Sequence, residues 1–372
     1  MKIAFTIKSL AGEGGGAERV LAEIASGLVS RGHAVTVYTF DAAGFDPFYD
    51  LDPRVTRVGL NRPINLNKIT PSQMAGMVRD FARHIRGEYD VAVGFMHSTY
   101  VPLAIALARS ETPFIASEHS DKRNYRGRSS QRLLSDVVTR MAYRKTVPSA
   151  PVRAEYAKEM QRRIVVMHNP VDLEGFKATG REITPEKTIL SVGSFIPQKD
   201  FPTLIAAFAT IAPDLPDWKL RILGDGAMRP EIENAVRLSG IAERIEIPGI
   251  IRDVQSEYAR ASVFALSSIH ESFGLVLAEA LATGRPTVSF ADCLGCAYLV
   301  EDGKNGILVD PGDDRVGSLA DALARLLSSP PLRKSLAEAG PPSVARFELG
   351  SILDQWEELL SAAAGGLRCD KP

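Results

Sequence analysis

The chain has 372 residues, of which 24% are charged and 45% hydrophobic, and its formal net charge is −1. A chain of that length is too long for one ordinary hydrophobic core, so two domains are expected. The near-neutral net charge of the whole chain argues against a nucleic-acid-binding protein. The charges are uneven, because residues 1–172 carry 24 Lys and Arg against 17 Asp and Glu while residues 173–372 carry 20 against 28, so we expect the first half to face something anionic.

The chain begins with a strand, a glycine-rich loop, a helix and a second strand. The strands are predicted at 2–7 and 34–40, and the helix at 17–30 has apolar residues at helical spacing. The loop ends in Gly15 and Gly16 and matches neither the dinucleotide-binding nor the P-loop fingerprint. Its glycines would let backbone amides reach an anion at the helix start. Flexible turns also use glycine, which is the alternative.

Asp50 and Asp52 have the spacing of an acidic pair that holds Mg²⁺ in some transferases. The pair precedes Pro53 and a short predicted strand, so we interpret it as a turn. Neither a metal nor another bound cofactor is expected. The chain has only three cysteines, which indicates a reducing compartment, and no apolar run approaches the ~18 residues of a transmembrane helix.

Two histidines follow predicted strands in the first half. His97 comes after the strand at 90–95, and His119 after the strand at 113–117. Ligands bind at the carboxyl ends of strands in doubly wound sheets, so both imidazoles are candidate site residues. A structural hydrogen-bonding role is the alternative. Helices are predicted at 70–86 and 100–108.

Residues 122–145 hold eight basic residues and one acid. A helix is predicted there, and such a basic amphipathic helix can lie on an anionic membrane surface. The alternative is a core-packed helix with a solvated outer face. The apolar residues on one face are Leu133, Leu134, Val137, Val138 and Met141.

The second half begins with residues 173–187, which are polar and predict a linker. Alternating strands and helices follow, and this repetition predicts a second parallel sheet covered by helices. A final amphipathic helix is predicted at 347–362. The strands are predicted at 188–193, 219–223, 244–247, 263–267, 286–290 and 306–309, and the helices between them at 201–211, 229–239, 254–259, 273–282, 316–327 and 332–338.

The stretch 267–286 is the most informative of the chain. Glu271 precedes the helix predicted at 273–282 and Glu279 lies within it, so both carboxylates can face one pocket over the helix amino end. Gly274 leaves the backbone bare for a ligand, and the free N–H groups and dipole of a helix amino end suit a phosphate. A sugar nucleotide fits such a site. The alternative is a pair of charges that only balance the dipole or face solvent.

Lys199 and Gly193 follow the first strand of the second half. A lysine at this distance past the strand can reach a diphosphate as a point charge. A solvated surface lysine is the alternative. Cys293 and Cys296 have no second pair for zinc and do not open a βαβ unit, so we interpret them as structural.

The segment His270–Gly274, followed by Glu279, resembles the Glu-x7-Glu element of retaining glycosyltransferases of family 4. The resemblance covers nearly the whole chain. It implies an α/β protein of the GT-B fold, with two Rossmann-like, doubly wound parallel-sheet domains facing across a cleft. The acceptor-binding domain would be 1–172, with the C-terminal helix 347–364 packing back on it, and the nucleotide-sugar domain would be 173–346.

The resemblance also implies roles for residues of the second half. Glu271 would contact hydroxyls of the donor sugar, and Glu279 would contact the ribose. The backbone N–H groups of Gly274 and Leu275 would hold the donor phosphates, with Phe273 as a neighbouring substrate-binding position. The remaining implied donor-site residues are Gly193 and Lys199, the latter on the diphosphate.

In the first half, Gly15 to Arg19 resembles the family's Gly-Gly-Ala-Glu-Arg segment, in which a glycine amide meets the donor phosphate. Gly16 is the matching glycine, with Gly15 beside it. His119 matches a family histidine near the donor sugar and is implied as a polar catalytic contact. His97 is assigned to substrate, on the acceptor side.

The chain departs from the family pattern at two places. Ser194 stands where the family usually has an arginine, so one cation, Lys199, is offered at the matched positions instead of two. The segment Ala291–Ala297 replaces a loop that often contains Gly-Gly and a glutamate. The first departure bears on activity, and the second leaves the donor sugar unnamed.

The implied function is retaining transfer of a hexosyl or N-acetylhexosaminyl group from a nucleotide diphosphate sugar, UDP by family frequency, to a lipid-linked or polysaccharide acceptor. The place expected is the cytoplasm or the inner face of the cytoplasmic membrane, where an anionic surface would be a partner and nucleic acid would not. One alternative is a catalytically weak or inactive sugar-nucleotide-binding partner or sensor, which Ser194 favours. Another is a GT-B-fold sugar-nucleotide epimerase.

Overall fold

The computed structural model describes residues 1–12, 14–62, 69–121 and 129–366, apart from the side chains of residues 181 and 182. The chain forms two compact units, one of Met1–Pro170 with Leu349–Pro372 and the other of Val171–Glu348. These divisions lie two residues from the predicted domain boundaries. No helix in the described ranges is both long enough and apolar enough to cross a bilayer.

The first unit is built on a parallel sheet that contains seven strands among the described residues. These are β1 (Lys2–Thr6), β2 (Ala34–Thr39), β3 (Thr56–Gly59), β4 (Val91–Phe95), β5 (Phe114–Ser117), β6 (Arg144–Val147) and β7 (Ile164–Val166). The strand order is β3-β2-β1-β4-β5-β6-β7, so the direction of winding reverses between β1 and β4. A reversal of this kind is where open α/β sheets bind ligands.

The helices of this sheet connect its parallel strands. Gly16 begins the first of them, directly after the glycine-rich loop. The helices are α1 (Gly16–Ser30), α2 (Pro71–Ile85), α3 (His97–Leu107), α4 (Ser129–Met141), α5 (Ala150–Ala154) and α6 (Lys158–Gln161).

The second unit repeats the plan with six strands among the described residues, in the order β10-β9-β8-β11-β12-β13. Its strands are β8 (Thr188–Val192), β9 (Lys219–Leu223), β10 (Ile245–Gly249), β11 (Val263–Leu266), β12 (Thr287–Phe290) and β13 (Gly306–Val309). Its helices are α7 (Leu173–Glu182), α8 (Phe201–Ile211), α9 (Arg229–Leu238), α10 (Val254–Arg260), α11 (Leu275–Ala282), α12 (Leu294–Leu299), α13 (Arg315–Ser328) and α14 (Pro330–Val344). The direction reverses between β8 and β11, and the loops after those two strands hold Lys199 and Glu271.

The last helix, α15 (Leu349–Ala364), belongs to the first unit. Its Trp356 is buried, lies parallel to the Phe95 ring at 6.2 Å and meets Phe5 edge to face at 6.4 Å. Glu357 accepts hydrogen bonds from Arg31 at 2.6 Å and from His33 at 2.7 Å. The helix therefore closes one face of the first sheet with an aromatic core and a polar rim.

The chain enters and leaves the second unit at neighbouring points. The Val171 N–H donates to the Phe347 carbonyl at 2.8 Å, and Val171 and Glu348 pair as an isolated parallel bridge. The two ends of the second unit are therefore held together by backbone hydrogen bonding.

The linker predicted at 173–187 is wrong, because helix α7 occupies most of it. The Asp172 side chain accepts from the Gly175 N–H at 3.0 Å and caps the helix, as Asp commonly does. Phe176 is fully buried and meets Tyr258 edge to face at 5.7 Å. One buried aromatic anchor therefore fixes a segment whose average composition is polar.

Strand β6 was absent from the prediction, which assigned its first residues to the basic segment 122–145. Residues 122–128 lie outside the described residues. Lys145 is fully buried in β6, where it lies 3.9 Å from Glu118 and donates to Ser135 at 2.6 Å. It therefore adds nothing to a basic surface.

Candidate functional site

Lys199 and Glu271 form an ion pair at the carboxyl edge of the second sheet. Lys199 Nζ lies 2.5 Å from Glu271 Oε1, and their side chains are 15% and 13% exposed. The Ser268 hydroxyl donates to the same Glu271 oxygen at 2.7 Å. Two predicted site residues, which are 72 positions apart in the chain, thus meet in one cluster. Ser268 was not predicted, because a lone serine after a strand gives no distinguishing signal.

The loops that carry this pair are fastened to each other through the backbone. The Ser267 hydroxyl donates to the Lys199 carbonyl at 2.8 Å, and the Ile269 N–H donates to the Gln198 carbonyl at 2.8 Å. A Cβ on Gly193 would lie 3.2 Å from Lys199 Cε, so the lysine stem runs across this glycine. Gly193 therefore shapes the site by giving Lys199 room.

The segment 291–297, expected as a loop, contains the start of helix α12, and this helix packs against Glu271. The Gly295 N–H donates to the Glu271 carbonyl at 3.1 Å. A Cβ on Gly295 would lie 2.6 Å from that oxygen, so a larger residue would push the two segments apart. Gly295 was missed, and the only sequence signal was a glycine in a segment facing the predicted site.

Cys293 and Cys296 are buried free thiols beside the same segment, with their sulfur atoms 3.2 Å apart. The hydrogen bond with Cys293 and burial raise the pKa of Cys296. A buried thiol with a raised pKa stays protonated and unreactive. This environment agrees with a structural role for the pair.

Helix α11 begins at Leu275, two residues later than predicted. Gly274, the preceding residue, has φ +87°, a left-handed conformation that glycine adopts without strain. The Phe273 side chain is buried against Phe347, with ring centroids 5.1 Å apart, so Phe273 can reach a ligand only through its backbone. The first N–H groups of the helix lack acceptors within it and present a positive dipole end.

Glu279 lies on the second turn of this helix and is buried. Its Oε2 accepts from the Tyr258 hydroxyl at 2.9 Å, whereas Glu271 bonds Lys199 and Ser268. The structure thus gives the two carboxylates separate partners. The shared pocket predicted for Glu271 and Glu279 stays a prediction.

In the first unit, Gly15 and Gly16 lie at the amino end of α1. Gly15 is the N-cap, and a Cβ there would collide with the Glu18 carboxylate. Burial raises the pKa of Glu18, against the effects of its own backbone N–H and of Lys8. A Cβ on Gly16 would meet nothing within 4 Å, so the backbone of Gly16 faces open space.

His119 follows β5 and lies parallel to the Phe95 ring, with centroids 4.8 Å apart. Its Nε2 lies 3.0 Å from the Ser117 hydroxyl. Burial lowers the pKa of His119 to about 4, although the Glu118 charge acts in the opposite direction. His119 is therefore a neutral imidazole at neutral pH. Phe95 also lies parallel to Trp356 at 6.2 Å, so the His119 ring packs on the aromatic core of the first unit.

His97 has a different environment, at the start of α3. Its Nε2 donates to the Gln131 carbonyl of α4 at 3.1 Å, and burial lowers its pKa. Its ring meets Tyr100 edge to face at 5.4 Å. His97 therefore connects two helices, and its assignment to substrate stays a prediction. The residue before it, Met96, has φ +68°, a conformation that is strained for a non-glycine residue.

Glu118 is a buried carboxylate that sequence reasoning missed. It accepts from the Tyr100 hydroxyl at 2.6 Å and from the backbone N–H groups of His119 and Ser120 at 3.1 Å each. Buried Lys145 lies 3.9 Å away. This network fixes the backbone at His119. Its only signal in the sequence was an acidic residue directly before a candidate histidine at a strand end.

Asp52 is held by Arg54, whose Nε and Nη2 bond the two carboxylate oxygens at 2.9 and 2.6 Å. The hydrogen bonds from Arg54 lower the pKa of Asp52 to about 2. The aspartate is thus engaged within a turn. Among residues 1–12, 14–62, 69–121 and 129–366, no three His, Cys, Asp or Glu side chains group in a way that could hold a metal ion.

Helix α4 carries four exposed apolar residues. Leu133 is 63% exposed, and three further apolar residues of the helix are each 41% exposed, whereas Val138 turns inward and is buried. Arg132 and Arg140 are exposed on the same helix. The three apolar residues that are 41% exposed are Leu134, Val137 and Met141.

Comparison with protein families gives two matches that adjoin along the chain. Residues 14–174 match "Glycosyltransferase Family 4", and residues 175–342 match "Glycosyl transferases group 1". The junction falls close to the division between the two units.

Two relatives illustrate the range of similarity. The chain is 31% identical to the lipopolysaccharide core biosynthesis glycosyltransferase LpsE of Rhizobium meliloti, over 70% of this chain and 80% of the relative. It is 30% identical to an exopolysaccharide phosphotransferase of Streptomyces coelicolor, over 97% of this chain. The chain spans only 41% of that second protein's length.

Solved structures show the same architecture. The sucrose-phosphate synthase of Thermosynechococcus elongatus superposes with a TM-score of 0.82 at 22% identity, over 96% of this chain and 98% of that one. Anabaena HepE in complex with UDP and glucose gives 0.79 at 21% identity, over 97% and 100%. These likenesses confirm the predicted GT-B fold. The adjoining family matches and the similarity to LpsE establish that the chain belongs to the family 4 glycosyltransferases.

Proposed function

We propose that this protein is a retaining glycosyltransferase that moves a hexosyl or N-acetylhexosaminyl group from a UDP-linked donor to a lipid-linked or polysaccharide acceptor. The observation that carries the proposal is the Lys199–Glu271 ion pair beside the amino end of α11. The relatives named for lipopolysaccharide and exopolysaccharide support the acceptor class, and HepE, solved with UDP and glucose, supports the donor.

The leaving group explains why a cation and a helix amino end belong together. Negative charge develops on the diphosphate as the bond to the sugar breaks, and preorganised donors stabilise it most. Lys199 would provide the point charge, and the backbone N–H groups at Gly274 and Leu275 would provide hydrogen bonds. Diphosphate oxygens would then compete with Glu271 for the Lys199 ammonium and release the carboxylate to bind sugar hydroxyls.

Three further residues complete the proposed donor site. Glu279 would bind the ribose, and the amide of Gly16 would meet the donor phosphate. His119, neutral at neutral pH, would contact the sugar as a hydrogen-bonding group and not as a charge. Ser194, where the family resemblance implies a second cation, is exposed. Either another basic residue takes that place or turnover is slower than at a two-cation site.

We also propose a peripheral place on the inner face of an anionic membrane. The exposed leucines and valine of α4, next to Arg132 and Arg140, form the amphipathic surface that such binding needs. A lipid-linked acceptor would be presented at the same surface.

Donor binding and product release test the function separately. Thermal stabilisation by a panel of UDP-, GDP- and ADP-sugars identifies the base, since a ligand that binds the native state raises the melting temperature. Transfer to acceptor should release UDP, and Glu271→Ala should abolish that release without lowering the melting temperature by more than a few degrees.

The products distinguish the alternatives. Binding of a UDP-sugar without any UDP release would show a sensor or inactive partner. Conversion to a second UDP-sugar would show an epimerase. Release of UMP would show transfer of a sugar phosphate, the class named for the Streptomyces coelicolor relative. Near-normal transfer by Glu271→Ala would remove this carboxylate from the mechanism.

A further inference from the structure

Arg315, the first residue of α13, lies where three loops of the second unit meet. Its guanidinium carbon is 3.6 Å from the centroid of the Phe290 ring. Nη1 donates to Asp292 Oδ2 at 2.9 Å, and Nε lies 3.6 Å from Asp200 Oδ2. Nη2 donates to the Ser268 carbonyl at 3.4 Å. One side chain therefore connects the loops that follow β8, β11 and β12.

Each of these loops carries part of the candidate donor site. Asp200 directly follows Lys199 in the chain. Ser268 bonds the Glu271 carboxylate through its hydroxyl, while its carbonyl faces Arg315. Asp292 lies just before the helix that packs on the Glu271 backbone. The guanidinium therefore contacts Asp200, which is next to Lys199, and Ser268, which bonds Glu271.

The backbone at Asp200 shows why such a contact is needed. Asp200 has φ +48° and ψ +44°, a left-handed conformation that is strained for a non-glycine residue. Its carboxylate is about one-fifth exposed and lies against Arg315. The turn at Asp200 sets the direction in which the Lys199 side chain points. The Asp200–Arg315 ion pair therefore helps to fix Lys199.

Helix stability does not account for Arg315. A cation at the amino end of a helix faces the positive end of the dipole, which is unfavourable. Helix α13 already has its cap, since the Asp314 carboxylate accepts from the Gly317 N–H at 2.9 Å. The placement of Arg315 is explained by its contacts with the three loops.

We propose that Arg315 is a positioning residue for the donor site, one that holds Lys199 and Glu271 in place for a nucleoside diphosphate sugar. The inference rests on the proposed function. Arginine is suited to this task because its planar fork addresses several acceptors at fixed angles, which a lysine ammonium does not.

The first experiment compares Arg315→Ala, Arg315→Lys and a control, Arg325→Ala, which removes an exposed arginine from the same helix. Donor binding is measured by calorimetry, and kcat and KM are measured for donor and acceptor. We expect Arg315→Ala to lower kcat/KM for the donor at least about tenfold, with the acceptor KM unchanged. Arg315→Lys should stay within about threefold of the alanine variant, because charge alone does not hold three loops. Full rescue by lysine would overturn the positioning role.

A double-mutant cycle tests whether Arg315 acts through Lys199. In a Lys199→Ala background the Arg315→Ala change should cost less than about threefold, since coupled residues are not additive. A cost equal to that in the wild type would overturn the inference. If Arg315→Ala fails to fold, Asp292→Asn provides the test. Its side chain is 45% exposed, and a donor-specific loss of about threefold is expected, while wild-type kinetics would count against the inference.

Measurements on the wild type distinguish a failure of the proposed function from a failure of the proposed role of Arg315. A wild-type chain that binds none of the UDP-, GDP- or ADP-sugars overturns the proposed function, and this inference with it. A wild-type chain that binds a donor, with Arg315→Ala binding equally well and turning over equally fast, overturns this inference alone.

Discussion

At the scale of single residues, Lys199 can be compared with a lysine in an exposed surface ion pair. We predict that Lys199→Ala lowers kcat about 10²- to 10³-fold, since it removes a preorganised charge from the leaving group. The measurement is release of UDP at saturating donor. The control is Lys187→Ala, which removes the exposed Lys187–Asp217 pair, 2.7 Å long, and should leave turnover unchanged. Equal effects of the two substitutions would contradict the role of Lys199.

His119 gives a prediction about pH. Its pKa in the folded protein is about 4, while an unfolded histidine has a pKa of about 6.5, so the unfolded chain binds more protons between these values. Stability should therefore fall as the pH drops from about 6.5 towards 4. We predict that His119→Gln flattens this part of the curve of urea midpoint against pH. The control His84→Gln removes an exposed histidine. A His119→Gln curve parallel to the wild type would be evidence against this linkage.

Some residues of the candidate site could be predicted from the sequence, and others could not. Lys199 and Glu271 could be predicted because Lys199 follows the first strand of the second half, Glu271 precedes a helix that begins near Gly274, and both resemble the family pattern. Ser268 and Gly295 could not, because their roles depend on which loops become neighbours in space. Arg315 was hidden as well, since a helix start with a basic residue gives no indication of which loops it will contact.

At the scale of elements, helix α4 has the clearest testable surface. We predict that the double substitution Leu133→Ser with Val137→Ser reduces binding to vesicles of phosphatidylglycerol and phosphatidylcholine at least several-fold, because binding follows buried apolar area. Co-sedimentation at low and high salt is the measurement, and high salt should weaken binding through the arginines. The control is Leu238→Ser, which changes a residue that is 75% exposed in the second unit. Equal binding to neutral vesicles would count against an anionic surface.

Most elements were predicted within two residues of their observed ends, because alternating apolar strands and amphipathic helices give strong periodic signals. Helix α7 was missed since two buried residues, Leu173 and Phe176, outweigh a polar average. Strand β6 was missed because Lys145 is charged, and its burial is tolerable because it has partners that include Glu118 and Ser135. The errors at α7 and β6 concern segments whose structure is decided by tertiary contacts.

At the scale of the whole molecule, the two units have separate cores and should respond separately. We predict that Trp356→Ala lowers the free energy of unfolding of the first unit by about 3–5 kcal/mol, the usual cost of removing a buried tryptophan. UDP should raise the melting temperature of the second unit, which holds the Lys199–Glu271 pair, by the same amount in variant and wild type. Calorimetric scans with and without UDP test both statements. Loss of the UDP effect in the variant would show that the units are coupled.

The hydrogen bond between Val171 and Phe347 has a consequence for how this protein can diversify. A segment whose two ends touch can be exchanged as a cassette, because its replacement leaves the host chain with the same gap to bridge. Under the proposed division of donor and acceptor between the two units, the choice of donor and the choice of acceptor can then evolve separately.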